Sequence, residues 1–211
     1  MSTILVIGAT GQIGKQATKK LLDAGHKVVA LTKSPEKLSD VENANLTIAE
    51  QNLEGDFSSA FEGVDNVVFA AGSGGNTGAD KTLLIDLWGA RNAVNYAKQA
   101  NVSQFIMVSS IGAGNPDEVD GDIKPYLVAK HMADEHLINS GVPYVILRPG
   151  SLLNEPGTHL VTTDMPNNRD DAVIPREDVA TTIVESLNRS SDDNLIVHLF
   201  KGDTPISKVF E

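Results

Sequence analysis

The stretch Thr3-Ile4-Leu5-Val6-Ile7-Gly8-Ala9-Thr10-Gly11-Gln12-Ile13-Gly14 decides the fold. A short apolar run rich in β-branched residues, ending at a glycine, reads as a strand buried on both faces. From Gly11 to Leu22 the apolar residues Ile13, Ala17, Leu21 and Leu22 fall at helical spacing, and Gly25 supplies a stop. Glycine at positions 8, 11 and 14 lets the backbone turn tightly and approach a diphosphate, whose charge the free amides and the helix dipole stabilise. Gly8, Thr10, Gly11, Gln12, Ile13 and Gly14 are therefore expected to hold the phosphates of a dinucleotide. Gly14-Lys15 invites a nucleotide-triphosphatase reading, but that motif needs glycine at position 9 and a hydroxyl residue at 16, where this chain has Ala9 and Gln16.

Outward from this unit the alternation repeats. Lys27–Thr32, Leu46–Ala49, Asn66–Ala71, Gln104–Ser109, Tyr144–Leu147 and Leu195–Phe200 read as strands. Ala79–Ala100, Tyr126–Ser140 and Pro175–Asn188 read as helices, the last with proline in its first turn. Alternating elements imply parallel strands, right-handed crossovers and helices on both faces. The expected fold is α/β, a doubly wound parallel sheet of Rossmann type with strand order 3-2-1-4-5-6-7. It forms a single domain over 1–211, with 150–174 as a loop-rich substrate cap. Ligands of such sheets sit outside the carboxyl ends of the strands, at the switch point.

The 211 residues, 41% hydrophobic and 21% charged, suit one globular core. A net charge of -11 argues against nucleic acid and anionic lipid as partners, since both call for clustered cations. The absence of cysteine removes disulfides, thiolate metal sites and a cysteine nucleophile. His131 and His136 stand five apart, not four, so no metal site is expected. With no export signal or apolar run long enough to span a bilayer, the expected location is the cytoplasm, and the expected partner a small-molecule substrate.

An acidic residue closing the second strand would favour an unphosphorylated ribose; this chain has Thr32-Lys33-Ser34 there. A cation flanked by hydroxyls suits a 2′-phosphate, so NADP is expected in preference to NAD, with Lys33 as the principal cation. The glycine-rich stretch Gly72–Gly78 is expected to be a cofactor-side loop that orders when NADP binds. Trp88 and Tyr96 read as core or dimer surface, and the chain as monomer or homodimer.

Taken in order, Gly8–Gly14, Val67-Val68-Phe69-Ala70-Ala71-Gly72, Val108-Ser109-Ser110, Tyr126-Leu127-Val128-Ala129-Lys130, Leu147-Arg148-Pro149-Gly150 and Ile174-Pro175-Arg176-Glu177-Asp178-Val179-Ala180 resemble the short-chain dehydrogenase/reductase superfamily. The resemblance is nearest to its atypical branch of NmrA-like and flavin/biliverdin reductase-like proteins. It implies that Ala70, Ala71 and Gly72 pass under the middle of the cofactor and that Pro149 and Gly150 approach the nicotinamide. It also implies a catalytic set of Ser110, Tyr126 and Lys130: the tyrosine exchanges the proton at the substrate oxygen, the serine polarises that oxygen, and the lysine holds the nicotinamide ribose. Four-residue spacing puts Tyr126 and Lys130 on one helix face, where an ammonium favours the ionised phenol. Ser109 rivals Ser110 and is counted with the cofactor-facing residues; Asn154, Glu155 and His159 are candidates for the substrate pocket. The activity expected is an NADPH-dependent oxidoreductase passing hydride to a small carbonyl, quinone or flavin-like acceptor. The alternatives are a non-catalytic NADP-binding redox sensor and, third, a nucleotide-sugar epimerase.

Overall fold

Side-chain parity along the strands sorts the core into two layers. In β1 (Thr3–Ile7), Ile4 and Val6 face one layer and Leu5 and Ile7 the other, all fully buried, as a strand covered on both faces requires. The computed structural model describes residues 1–75, 77–189 and 193–211. Its further strands are β2 (Lys27–Thr32), β3 (Leu46–Glu50), β4 (Asn66–Phe69), β5 (Gln104–Val108), β6 (Tyr144–Pro149), β7 (Ser151–Leu153), β8 (Leu160–Thr162), β9 (Val173–Pro175), β10 (Leu195–Lys201) and β11 (Thr204–Pro205).

The main sheet runs β11-β8-β10-β6-β5-β4-β1-β2-β3. From β3 to β10 every pairing is parallel, which is the expected order 3-2-1-4-5-6-7, with β10 in the seventh place. Beyond β10 the short strands β8 and β11 add antiparallel pairings that the sequence reading lacked. Within the expected cap, β7 and β9 pair in parallel as a separate two-stranded sheet.

Helix α1 (Gln12–Asp23) buries Ile13, Ala17, Leu21 and Leu22, the residues its periodicity singles out, against the layer that also holds Val179, Ala180 and Ile183 of α5 (Arg176–Ser186). The opposite layer takes Ala93, Val94 and Ala97 of α3 (Ala90–Ala100) and Ala133 and Leu137 of α4 (Lys124–Ile138). The helix expected over Ala79–Ala100 is not uniform. It begins as the short α2 (Ala79–Lys81), widens into a π-helix over Thr82–Gly89, and continues as α3. Asn76, inside the glycine-rich stretch, lies outside the described residues. Among the described residues no helix is long and apolar enough to cross a membrane.

Gly8 and Gly14 fix the approach of α1 to the sheet. Gly8 has φ +84°, and a Cβ there would stand 2.7 Å from the backbone of Ala71 at the end of β4. A Cβ on Gly14 would strike the carbonyl oxygen of Gly8. Gly14→Ala must therefore push α1 off the strand, and we expect a loss of about 1–3 kcal/mol in a urea titration.

Candidate functional site

At the carboxyl edge of the sheet the first turns of α1 and α5 differ in charge. Gly11 at the N-cap of α1 offers no side-chain acceptor and no acidic residue lies in that first turn, so the amides of Gln12, Ile13 and Gly14 lack intrahelical partners. The start of α5 carries Glu177 and Asp178, which point back at the cap: Glu177 accepts from the Gly157 amide at 2.9 Å, and Asp178 from those of Thr158 and His159 at 3.0 and 2.9 Å. The first turn of α5 is thus acidic, and its carboxylates are engaged with the backbone at 157–159. The first turn of α1 holds no carboxylate, so its positive end can take an external anion.

The glycine-rich loop after β1 is tied to the end of β2. Gly8 N–H donates to the Leu31 carbonyl at 3.3 Å, the Thr10 and Thr32 hydroxyls pair at 3.0 Å, and Thr32 Oγ1 accepts from the Ser34 amide at 3.0 Å. Beside it lies a cavity of about 320 Å³, lined by Gly8, Thr10, Gly11, Thr32, Lys33, Ala70, Ala71 and Gly72 of the residues expected from sequence. Leu31, Lys37, Gln51, Asn52, Leu53, Glu54, Ser73, Thr77, Lys81 and Ile85 complete its walls. Lys81 bridges both carboxylate oxygens of Glu54 at 2.8 Å, linking the loop after β3 to the helix after β4, and that hydrogen bond pushes the Lys81 ammonium pKa up.

A second, more polar cleft of about 450 Å³ shares Thr10 and Gly11 and extends past Gln12, Lys15 and Lys19 to Asn154, Glu155 and Arg176. Asn154 and Glu155 thus share a cleft with Thr10, Gly11 and Gln12. Lys15 is drawn aside, donating to the Lys37 carbonyl at 2.7 Å and to Asp40 at 2.5 Å, with Lys19 on the other Asp40 oxygen at 2.9 Å. Those ammonium groups, Lys15 first, hold the Asp40 carboxyl well below the usual carboxylate range.

Ile13 and Gly14 are buried in the first turn of α1 and shape the loop from behind. At the ends of β5 and β6, the amides of Ser109 and Ile111 donate to Leu147 and Pro149 at 2.7 and 2.9 Å, which extends the ladder and alternates the side chains between them. Ser109 turns inward, its hydroxyl donating to Asp134 of α4 at 2.8 Å. Ser110 stays half-buried, its hydroxyl on the Ile111 carbonyl at 3.1 Å. Lys130 is 2% exposed and donates to the Val108 carbonyl at 2.7 Å; Tyr126, half-buried, sits one helical turn before it. Pro149 and Gly150 are buried at the end of β6. None of Ser109, Ser110, Tyr126, Lys130, Pro149 and Gly150 lines the two cavities, and neither does Ser34. His131 and His136 are turned to separate partners, the Ala113 carbonyl and Asn95, each at 2.8 Å.

A buried ionic cluster braces this edge. Arg148 of β6 donates through Nε and Nη2 to one oxygen of Asp134, at 3.1 and 3.0 Å, the oxygen that also accepts from Ser109. Burial pushes the Asp134 carboxyl up, against the pull of Lys130, Ser109 and Arg148. Sequence reasoning missed this cluster because its members are 25 and 14 residues apart. It also missed Lys37, although that residue lies on the turn just after Lys33.

The comparisons with known proteins agree with this geometry. Residues 8–190 match the family described as NAD(P)H-binding. The chain belongs to that family. It is 41% identical, over 99% of its own length and 98% of the relative's, to a Bacillus subtilis protein named as an uncharacterised sugar epimerase, YhfK. A solved Bacillus halodurans protein, assigned by name only as an NAD-dependent epimerase/dehydratase, superposes with a TM-score of 0.92 at 40% identity, covering 100% of this chain and 99% of that one. The Lactococcus lactis oxidoreductase ylbE superposes with a TM-score of 0.86 at 27% identity, covering 99% and 94%. The resemblance to the atypical short-chain dehydrogenase/reductase branch is borne out. A nicotinamide dinucleotide also fits the residues present, with uncapped amides for its diphosphate and an adjoining cavity at the end of β2.

Glu177 gives the cap a pH signature. The Gly157 amide first, and Lys20 second, hold its pKa below the ordinary glutamate value. A depressed carboxylate stabilises the fold above its unfolded-state pKa, and the contribution is lost as pH falls through the folded-state value. In an NMR titration the Gly157 amide should shift with a midpoint below that of an ordinary glutamate, and the transition should vanish in Glu177→Gln.

Proposed function

We propose that the chain is an NADP-dependent oxidoreductase that delivers hydride to a small carbonyl, quinone or flavin-like acceptor. The observation that carries the cofactor choice is the wall at the end of β2. Lys33 and Lys37 face the 320 Å³ cavity there, and the carboxylate on its rim, Glu54, is taken by Lys81. Two cations beside the Thr32 hydroxyl suit a 2′-phosphate better than a bare ribose diol. The amides of Gln12, Ile13 and Gly14 hold the diphosphate, while Ala70, Ala71 and Gly72 form the floor beneath the middle of the dinucleotide. When bound, the dihydronicotinamide supplies the hydride.

On the acceptor side, Ser110 is the hydroxyl left to polarise a carbonyl, because Ser109 is committed to Asp134. Tyr126 gives its phenolic proton to the acceptor oxygen. Lys130, one turn later on α4, lowers the cost of the phenolate that results. Pro149 and Gly150 close the floor under the reacting ring. The polar cleft between α1 and the cap, with Asn154, Glu155 and Arg176 on its wall, takes the remainder of the substrate.

A second reading, reversible oxidation of a sugar nucleotide, is favoured by the epimerase names of the two Bacillus relatives. It uses the same Tyr126 and Lys130 but leaves the cofactor unchanged over a full cycle.

Lys33→Asp should weaken NADPH binding by about tenfold or more, by loss of a charge-assisted contact, and should narrow the gap between NADPH and NADH in paired titrations. With a carbonyl acceptor, Tyr126→Phe should lower kcat by about 10²–10⁴, with a smaller loss on quinones and flavins, which can take a proton from water. NADPH bound tightly but not consumed across a panel of these acceptors overturns the oxidoreductase reading. It would leave the sugar-nucleotide reading or a binding-only sensor role.

A further inference from the structure

We propose that Asp86 is a positioning residue that holds the wall of the dinucleotide cavity from behind; the proposal rests on the nicotinamide-dinucleotide reading of that cavity. Asp86 lies in the apolar run Leu83-Leu84-Ile85-Asp86-Leu87-Trp88, on the π-helical segment. Its neighbours Leu83 and Trp88 are about half exposed, yet the carboxylate itself is 1% exposed. The wider π turn, a form concentrated at functional sites, carries this one charged side chain inward. Burying a carboxylate is costly unless its oxygens are hydrogen-bonded.

The bond goes to the loop after β4. Asp86 Oδ2 accepts from the Ser73 amide at 3.0 Å, and a Cβ on Gly72 would stand 3.1 Å from Asp86 Oδ1. Gly72, Ser73 and Ile85 line the 320 Å³ cavity, whereas Asp86 does not. It stands directly behind residues that would touch the ligand. The loop has little else to stiffen it: glycine occupies positions 72, 74, 75 and 78, and each glycine loses more backbone freedom on ordering than any other residue. Among the described residues its other ties are the Ala70 amide on the Ile7 carbonyl at 2.9 Å, a 3.4 Å contact between the Ser73 and Thr82 hydroxyls, and the Thr77 amide and hydroxyl on the Gly74 carbonyl at 3.3 and 2.9 Å, a turn that does not reach Gly72 or Ser73. Asp86 therefore meets in advance the ordering cost that the cofactor would otherwise bear, and keeps Gly72 and Ser73 in register with Gly8 on the facing loop.

The test uses the full chain, with NADPH affinity read by titration calorimetry and the Ser73 amide read by hydrogen exchange. Asp86→Ala should bind NADPH about tenfold more weakly and exchange Ser73 faster. Asp86→Asn keeps an oxygen that can accept from Ser73 and should remain within about threefold of the parent, a rescue that loss of bulk packing would not produce. If Asp86→Ala does not fold, Gly72→Ala presses on the same carboxylate from the loop side and should weaken NADPH in the same way. Unchanged affinity in Asp86→Ala, unchanged affinity in Gly72→Ala, or an Asp86→Asn variant as weak as Asp86→Ala overturns the proposal alone. A parent chain that binds neither NADPH nor NADH overturns the cavity reading and this proposal with it.

Discussion

The structure depends on how closely the turn after β1 passes the end of β4. A Cβ on Gly8 would lie 2.7 Å from Ala71, and one on Gly14 would strike the Gly8 carbonyl. Only side chains without a Cβ allow strand, turn and helix to approach this tightly. The close passage sets α1 so that its unpaired amides open at the carboxyl edge, between the ends of β1, β2 and β4. Parallel strands and right-handed crossovers would bring helix starts to this edge in any case. The glycines make this particular one reachable by a diphosphate.

Two helix starts share that edge and are used in opposite ways. The first turn of α5 holds Glu177 and Asp178, whose carboxylates accept from the amides of Gly157, Thr158 and His159 and tie that segment to the helix. The first turn of α1 holds no acidic residue, so its positive end is not neutralised from within. An acidic protein, with net charge -11, can therefore still offer an anion site, because its carboxylates are stationed elsewhere. Locally the site is further biased by Lys33 and Lys37, while Lys15 and Lys19 are engaged with Asp40.

Buried charge organises the other half of the edge. Asp134 accepts from Ser109 and Arg148 within an otherwise apolar layer, and Lys130 is fastened to the end of β5. Removing one member of such a cluster leaves the others desolvated without a partner, which makes the arrangement stiff. Stiffness here locks the ends of β5 and β6 to α4, the helix that carries Tyr126 and Lys130. Asp86 repeats the device on the neighbouring loop, with a backbone amide as its partner.

Sequence alone determined the alternation of strands and helices, the parallel order from β3 to β10, and the tight glycine turn between β1 and α1. These follow from local periodicity and from glycine, whose effect on the backbone needs no distant partner. The bounds of β1 and β2 match the strands read from apolar runs, and the buried face of α1 matches its apolar periodicity. Tertiary structure decided the rest. It chose which of Ser109 and Ser110 turns inward, joined Asp134 to Arg148, brought Lys37 and Lys81 to the cavity wall, inserted the π turn before α3, and added β8 and β11 beyond β10. Each of these depends on groups from separate elements competing for one desolvated space, and no pattern within a single segment encodes the outcome of that competition.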